Sequence, residues 1–179
     1  GNTKAPRSLA SSAYNERRRQ CEEGVAALQQ VLPDITALRD VSSEQLEANK
    51  DLLSEIVYLR CRHVVSENER VLQTVEALKR DDLQAVGQLM SASHLSMKHL
   101  FEITVPPVDF LVDQIGEILG SHGGVRMTGG GFGGCVVALA PAELLDDIVA
   151  RVEDTYYSHT GLHASIYTSA PAGGAVSIQ

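Results

Sequence analysis

The stretch "GGVRMTGGGFGGCVVALAP", Gly123 to Pro141, decides how the chain is read. Gly129, Gly131 and Gly134 have the G-x-G-x-x-G spacing of a dinucleotide-binding turn, a motif that counts only between a strand and a helix. Val125 to Thr128 reads as a strand, but Cys135 to Ala140 is a continuous apolar, valine-rich run stopped by Pro141 and reads as a second strand. The context is therefore a hairpin, and the dinucleotide reading fails. Gly129 to Gly134 holds five glycines in six residues. That exceeds what a tight turn needs, since two-residue turns require only one or two positive φ angles. The excess predicts a close approach of backbone to another surface, either phosphate oxygens in a nest of N–H groups or a second backbone. No Gly-Lys-Ser/Thr follows, so the loop is not a Walker A sequence.

Around this hairpin the chain reads mainly as helices. Tyr14, Cys21, Val25, Leu28 and Leu32 recur at helical spacing from about Ala13 until Pro33, with Ser12 as the expected N-cap. Ser42 and Gln45 have capping-box spacing and open a short helix around Leu46 to Leu53. Ile56, Val57, Val64, Val71, Val75 and Leu78 mark a long helix ending near Arg80, and Asp81 or Asp82 caps the next, which carries Leu83, Val86, Leu89, Met90, Ser93 and Met97. Val105 precedes a proline and is pushed away from helical angles, while Pro107 suits a helix's first turn, giving a helix through Leu111, Val112, Ile115 and Leu119 to Gly120. After the hairpin come a helix from about Ala142 to Tyr157 and a strand from His163 to Thr168. The tail "APAGGAVSIQ" reads as a last strand or a loose end. The order predicts an α+β fold, with helices packed on a small, mostly antiparallel sheet.

Composition narrows the function classes. The chain has 179 residues, 44% of them hydrophobic and 21% charged, enough for one domain with a proper core. A net charge of -8 argues against a general nucleic-acid binder, which needs a basic face. No stretch approaches the roughly twenty apolar residues of a membrane span. Cys21, Cys61 and Cys135 form an odd set without C-x-x-C spacing, which points to neither a disulfide framework nor a zinc site and favours a reducing cytoplasm. His159 and His163 are four apart but straddle Gly161 at a predicted helix end, so they are poorly placed as zinc ligands. His94 and His99 read as capping or surface residues, and Cys135 as a small buried hydrophobe. From the residues alone, Tyr14 reads as a ring in the core with Arg17, Arg18 and Arg19 in water. Arginines near a helix N-terminus oppose its dipole and favour a nearby anionic partner.

Several stretches together resemble one family. "SSAYNERRRQCEEG", "RCRHVVSENERV", "LMSASHLSM", "FEITVPPVDFLV" and above all "GGVRMTGGGFGGCVVAL" resemble, in order and at these distances, the C-terminal part of galactokinases, members of the GHMP small-molecule kinases. The resemblance covers nearly the whole chain from about Ala13. It implies a ferredoxin-like C-terminal domain over residues 13–179 behind a polar lead, residues 1–12. The implied activity is transfer of the γ-phosphoryl of Mg-ATP to the C1 hydroxyl of α-D-galactose, the entry step of the Leloir pathway, in a cytoplasmic enzyme. Tyr14 matches the tyrosine that hydrogen-bonds the sugar, which reverses the reading from residues alone. Gly129, Gly130, Gly131, Gly133 and Gly134 match the third motif, which supports the phosphate-binding loop at the domain cleft. The family's first and second motifs, catalytic aspartate and magnesium ligands have no counterpart in this sequence. The resemblance therefore implies a C-terminal fragment that carries no catalytic residue, partners an N-terminal domain of the same protein, and has no turnover alone. Charge and composition predict no nucleic-acid or membrane partner. Galactose- and ATP-sensing regulatory relatives are the alternative within the family. The sequence departs from the resemblance at His99 and Leu100, where relatives often carry two acidic residues after the "SHxSM" segment.

Overall fold

A computed structural model describes residues 1–4 and 10–170, except for the side chains of residues 10 and 11. The tail singled out in the sequence lies, from Pro171 onward, outside the described residues. Helix α1 (Ala10–Leu28) starts earlier and ends sooner than its periodicity predicts, so Ser12 lies inside the helix rather than at its cap. Helix α2 (Ser43–Ala48) opens on the expected capping box, with Ser42 accepting from the Gln45 N–H and the Gln45 side chain returning to the Ser42 N–H. Helix α3 (Glu55–Lys79) is capped by Ser54, and α4 (Leu83–Ser96) by Asp82. A single π-helical turn, Met97–Phe101, extends α4 and ends on Glu102 in the left-handed region.

Two prolines at its first positions, after extended Val105, start α5 (Pro106–Leu119). Val108, Leu111, Val112, Ile115 and Leu119 form one buried stripe along it, each worth about 1.5–3 kcal/mol in burial. The hairpin forms as predicted: β1 (Gly124–Thr128) pairs antiparallel with β2 (Cys135–Leu139), in the register Gly124 to Leu139 and Thr128 to Cys135. Helix α6 (Leu145–Thr160) follows a short 3-10 turn and stops at left-handed Gly161.

The strand predicted from His163 to Thr168 is reduced to one bridge at Ser165, and its partner is Asn2. The first three residues of the polar lead lie between β2 and Ser165. The Gly1 amino group donates to the Val136 carbonyl, the Val136 N–H donates to Gly1, and Asn2 and Ser165 exchange N–H bonds. Residues 163–166 therefore line up on the chain's own beginning, a contact no local pattern encodes.

Two hydrophobic clusters result. One joins α5, β1, β2 and α6 around Met127, Leu111, Leu119 and Tyr156, and the other joins α1, α2 and α3 around Leu28, Leu46, Cys61 and Val65. A Cβ on Gly24 would stand 2.1 Å from the Cys61 sulfur, so the α1–α3 crossing requires glycine there. Along α3 the structure corrects the predicted stripe. Val57, Cys61 and Val65 face the core, whereas Ile56, Val71, Val75 and Leu78 are exposed.

Candidate functional site

The loop between β1 and β2 accounts for most of its own glycines. Gly129, Gly131, Gly133 and Gly134 have φ of 95°, 82°, 120° and 99°, and even Phe132 is left-handed at 58°. Side chains at the four glycines would be strained, so the backbone path requires them. Gly131 is doubly constrained, because an added Cβ would lie 2.7 Å from the Ile103 Cβ and 2.8 Å from the Ile103 carbonyl oxygen. The close approach predicted from the glycine excess is thus partly internal, against the corner that follows the π turn. Gly130 differs. Its φ is not positive, it is exposed, and an added Cβ would meet nothing within 4 Å.

Three contacts hold the loop. The Phe132 N–H donates to the Ile103 carbonyl at 2.6 Å. The Gly134 carbonyl accepts from both the Thr3 N–H, at 2.9 Å, and the Thr3 hydroxyl, at 2.5 Å. Thr3 is completely buried, and its own carbonyl accepts from the Tyr156 hydroxyl. From the side of α1, the Arg17 guanidinium lies 5.9 Å from the centre of the Phe132 ring, within cation–π range.

Arg17 also donates to the carbonyls of Phe101, at 2.6 Å, and Glu102, at 3.2 Å. Arg60, buried on α3, reaches the Leu100 carbonyl, Gln20 and the Glu102 carboxylate. Two guanidinium groups thus cap the carbonyl end of the π turn, where the helix dipole is negative. Of the arginine run, Arg17 meets this helix end and Glu102, whereas Arg18 pairs with Glu22 within α1. The reading of Tyr14 and Arg17 from residues alone is inverted: the Tyr14 ring is 56% exposed, while the Arg17 side chain is 13% exposed. Packing decides this, because Arg17 has carbonyls and a carboxylate to satisfy it and Tyr14 has no core to enter. One helical turn separates them, so exposed Tyr14 stands next to the residue that touches the loop.

Beneath the loop lies a polar seam between the two hydrophobic clusters. Ser93 donates to Glu67 and accepts from Arg126, and Arg70 pairs with Glu67. Burial opposes ionisation of Glu67, but the Ser93 and Arg70 hydrogen bonds outweigh it and hold its carboxyl below the usual range. His63 stacks on Phe101, with its Nδ1 2.8 Å from the Ser96 hydroxyl, and burial lowers its pKa to about 4. His94, expected on the surface or at a cap, is 4% exposed, and burial likewise lowers its pKa. The reversal has a simple cause: α4 packs against α3, β1 and α5, and its Ser93, His94 and Ser96 side chains serve groups that those elements leave buried. His99 does remain exposed.

Burial raises Cys21 to about 11 and Cys61 to about 12, so both are protonated thiols at neutral pH, unsuited to nucleophilic attack. Cys135 is half-buried rather than buried, because it opens β2 beside the loop. His159 stacks on Phe110 and His163 on Tyr157, each ring engaged separately. No helix among the described residues is long and apolar enough to cross a membrane. Sequence reasoning missed Thr3 and Ile103 as loop supports and Arg60 as a cap on the π turn. Arg17 reads in the sequence as an arginine near a helix N-terminus, but α1 begins at Ala10 and Arg17 lies two turns in, so its carbonyl and carboxylate partners, not the dipole, account for its place.

Residues 74–158 match the family model described as GHMP kinases C terminal. The relatives that the chain resembles are galactokinases. The chain is 48% identical over 176 residues to the galactokinase of Haemophilus influenzae strain PittGG and 47% identical to that of strain Rd, covering 97% of this chain and 44% of each relative. The crystal structure of Lactococcus lactis galactokinase complexed with galactose matches with a TM-score of 0.83 at 36% identity, over 89% of this chain and 41% of that one. The chain thus spans less than half the length of the relatives it matches.

Proposed function

We propose that this chain, residues 13–179 above all, is the C-terminal domain of a cytoplasmic galactokinase that phosphorylates α-D-galactose at its C1 hydroxyl. Galactose and ATP are its small-molecule partners, and the rest of the protein supplies the catalytic base, the phosphate-binding loop and the magnesium ligands. ATP, with its magnesium ion, supplies the phosphoryl group. Such transfer depends on positioning and charge stabilisation, both of which need the two halves together. Tyr14 hydrogen-bonds the sugar. Gly129, Gly130, Gly131, Gly133 and Gly134 form the backbone surface that supports the phosphate-binding loop.

The observation that carries this reading is Gly130. Neither its backbone angle nor any neighbour among the described residues requires glycine there, and it lies exposed in a loop held by Ile103, Thr3 and Arg17. A rigid loop presenting bare backbone to the outside fits the approach of a second, phosphate-holding backbone. Exposed Tyr14 stands one helical turn from Arg17, whose guanidinium reaches the Phe132 ring of the loop.

The test is formation of galactose 1-phosphate from galactose and Mg-ATP, by this chain alone and mixed with the N-terminal half of a galactokinase. Activity is expected only in the mixture. Turnover by the chain alone would refute the placement of the catalytic base elsewhere. A mixture that forms a stable complex on a sizing column yet stays inactive would refute the galactokinase assignment.

A further inference from the structure

Met127 forms a pair with Val136 in which Val136 directs both its backbone groups to Gly1, so the Met127 N–H points away from β2, out of the open edge of β1. Helix α4 lies along that edge. Gly87 packs directly on Gly123 and Gly124, leaving no room for a Cβ, and seven residues later His94 reaches Met127. A helix cannot complete a strand edge with its backbone, whose groups are spent within the helix, so a side chain must do it. The His94 Nδ1 lies 3.3 Å from the Met127 nitrogen. On the other side of the ring, Nε2 lies 3.3 Å from Asp109 Oδ1 in the first turn of α5, and neither of these buried atoms has a well-aligned hydrogen-bond partner among the described residues, so each is the other's nearest candidate. Lys98 Nζ balances the second carboxylate oxygen at 3.1 Å. The Met127 carbonyl is served by Arg126 Nε at 3.0 Å.

We propose that His94, oriented by Asp109, is a positioning residue for the glycine loop, clamping the Met127 peptide two residues before Gly129. A ring nitrogen facing an N–H must carry no proton, so the proton sits on Nε2 and donates to Asp109. An imidazolium would set two N–H groups against each other. Glycines give the loop little stiffness of its own, so its place is set by anchors: His94 at the entrance, Ile103 in the middle and Thr3 at the exit. The importance of the clamp rests on the reading of the loop as a support for the phosphate-binding element. The clamp itself can be tested without nucleotide, so the two readings fail separately.

The experiment is NMR on the isotopically labelled chain. Long-range proton–nitrogen correlations at pH 7 are expected to show a neutral His94 with its proton on Nε2; a proton on Nδ1, or a charged ring, would overturn the proposal. His94→Asn keeps an acceptor near the place of Nδ1, whereas His94→Gln keeps a donor near Nε2 but no acceptor for Met127. Amide exchange at Met127 and through the loop is expected to speed up roughly tenfold in the Gln variant and to stay within about threefold in the Asn variant, with α6 amides unchanged in both. Equal behaviour of the two variants would also overturn the proposal. Should either variant fail to fold, the ring tautomer of the unsubstituted chain decides.

Discussion

Gly130 and Gly131 are adjacent and chemically identical, yet the structure gives them opposite requirements. Gly131→Ala places a Cβ at φ 82°, which costs about 1–2 kcal/mol for an L-residue. That Cβ would also stand 2.7 Å from the Ile103 Cβ and 2.8 Å from the Ile103 oxygen, and relieving such overpacking costs about 1–3 kcal/mol. The oxygen cannot retreat freely, because it accepts the Phe132 N–H. A loss of about 3 kcal/mol is expected. Gly130→Ala meets no atom within 4 Å and needs no unusual φ, so it should be neutral or raise stability by up to about 1 kcal/mol through the unfolded chain. Urea unfolding of the two variants measures the contrast. With a slope of about 2 kcal/mol per molar urea, the Gly131 variant's midpoint should fall by about 1.5 M while the Gly130 variant's stays in place. A Gly131→Ala variant within 1 kcal/mol of the parent would refute the conformational argument. If the proposed galactokinase reading holds, a Gly130→Ala chain that keeps its stability is expected to lose activity when mixed with an N-terminal half, which would assign that position to a surface outside this chain.

Other expectations follow from the same contacts. Gly87→Ala would bring a Cβ to 2.0 Å from the Gly123 oxygen, forcing α4 off β1, and should cost about 3 kcal/mol or prevent folding, as read by thermal unfolding. Replacing buried Arg60 by methionine removes one of the two caps on the π turn and leaves the Leu100 carbonyl short of a donor; a loss of about 3 kcal/mol in urea is expected. His63 is neutral when folded, with a pKa near 4 against 6.5 when unfolded, so its contribution is complete above pH 6.5 and is lost as pH falls toward 4. The fall should reach at most about 3 kcal/mol, and His63→Gln should flatten that part of a stability–pH profile. Thr3→Val removes one of two donors to Gly134 and should cost about 1 kcal/mol, with faster amide exchange confined to the loop's exit.

What the sequence determined by itself was local. Two prolines after an extended residue start α5, the Ser42–Gln45 pair starts α2, and two apolar runs flanking a glycine loop make the hairpin, because each rule acts within a few residues. The family resemblance was legible in the same stretches. Tertiary structure alone decided which face of α3 is buried, since apolar residues occur on more than one of its sides and periodicity does not choose between them. It alone decided that Arg17 and His94 turn inward and Tyr14 outward, because a polar side chain is buried only where distant partners satisfy it. The supports of the loop span 131 residues from Thr3 to Gly134 and 33 from His94 to Met127. Contacts of that separation leave no periodic or compositional trace, and they exist only once the helices have closed around the hairpin.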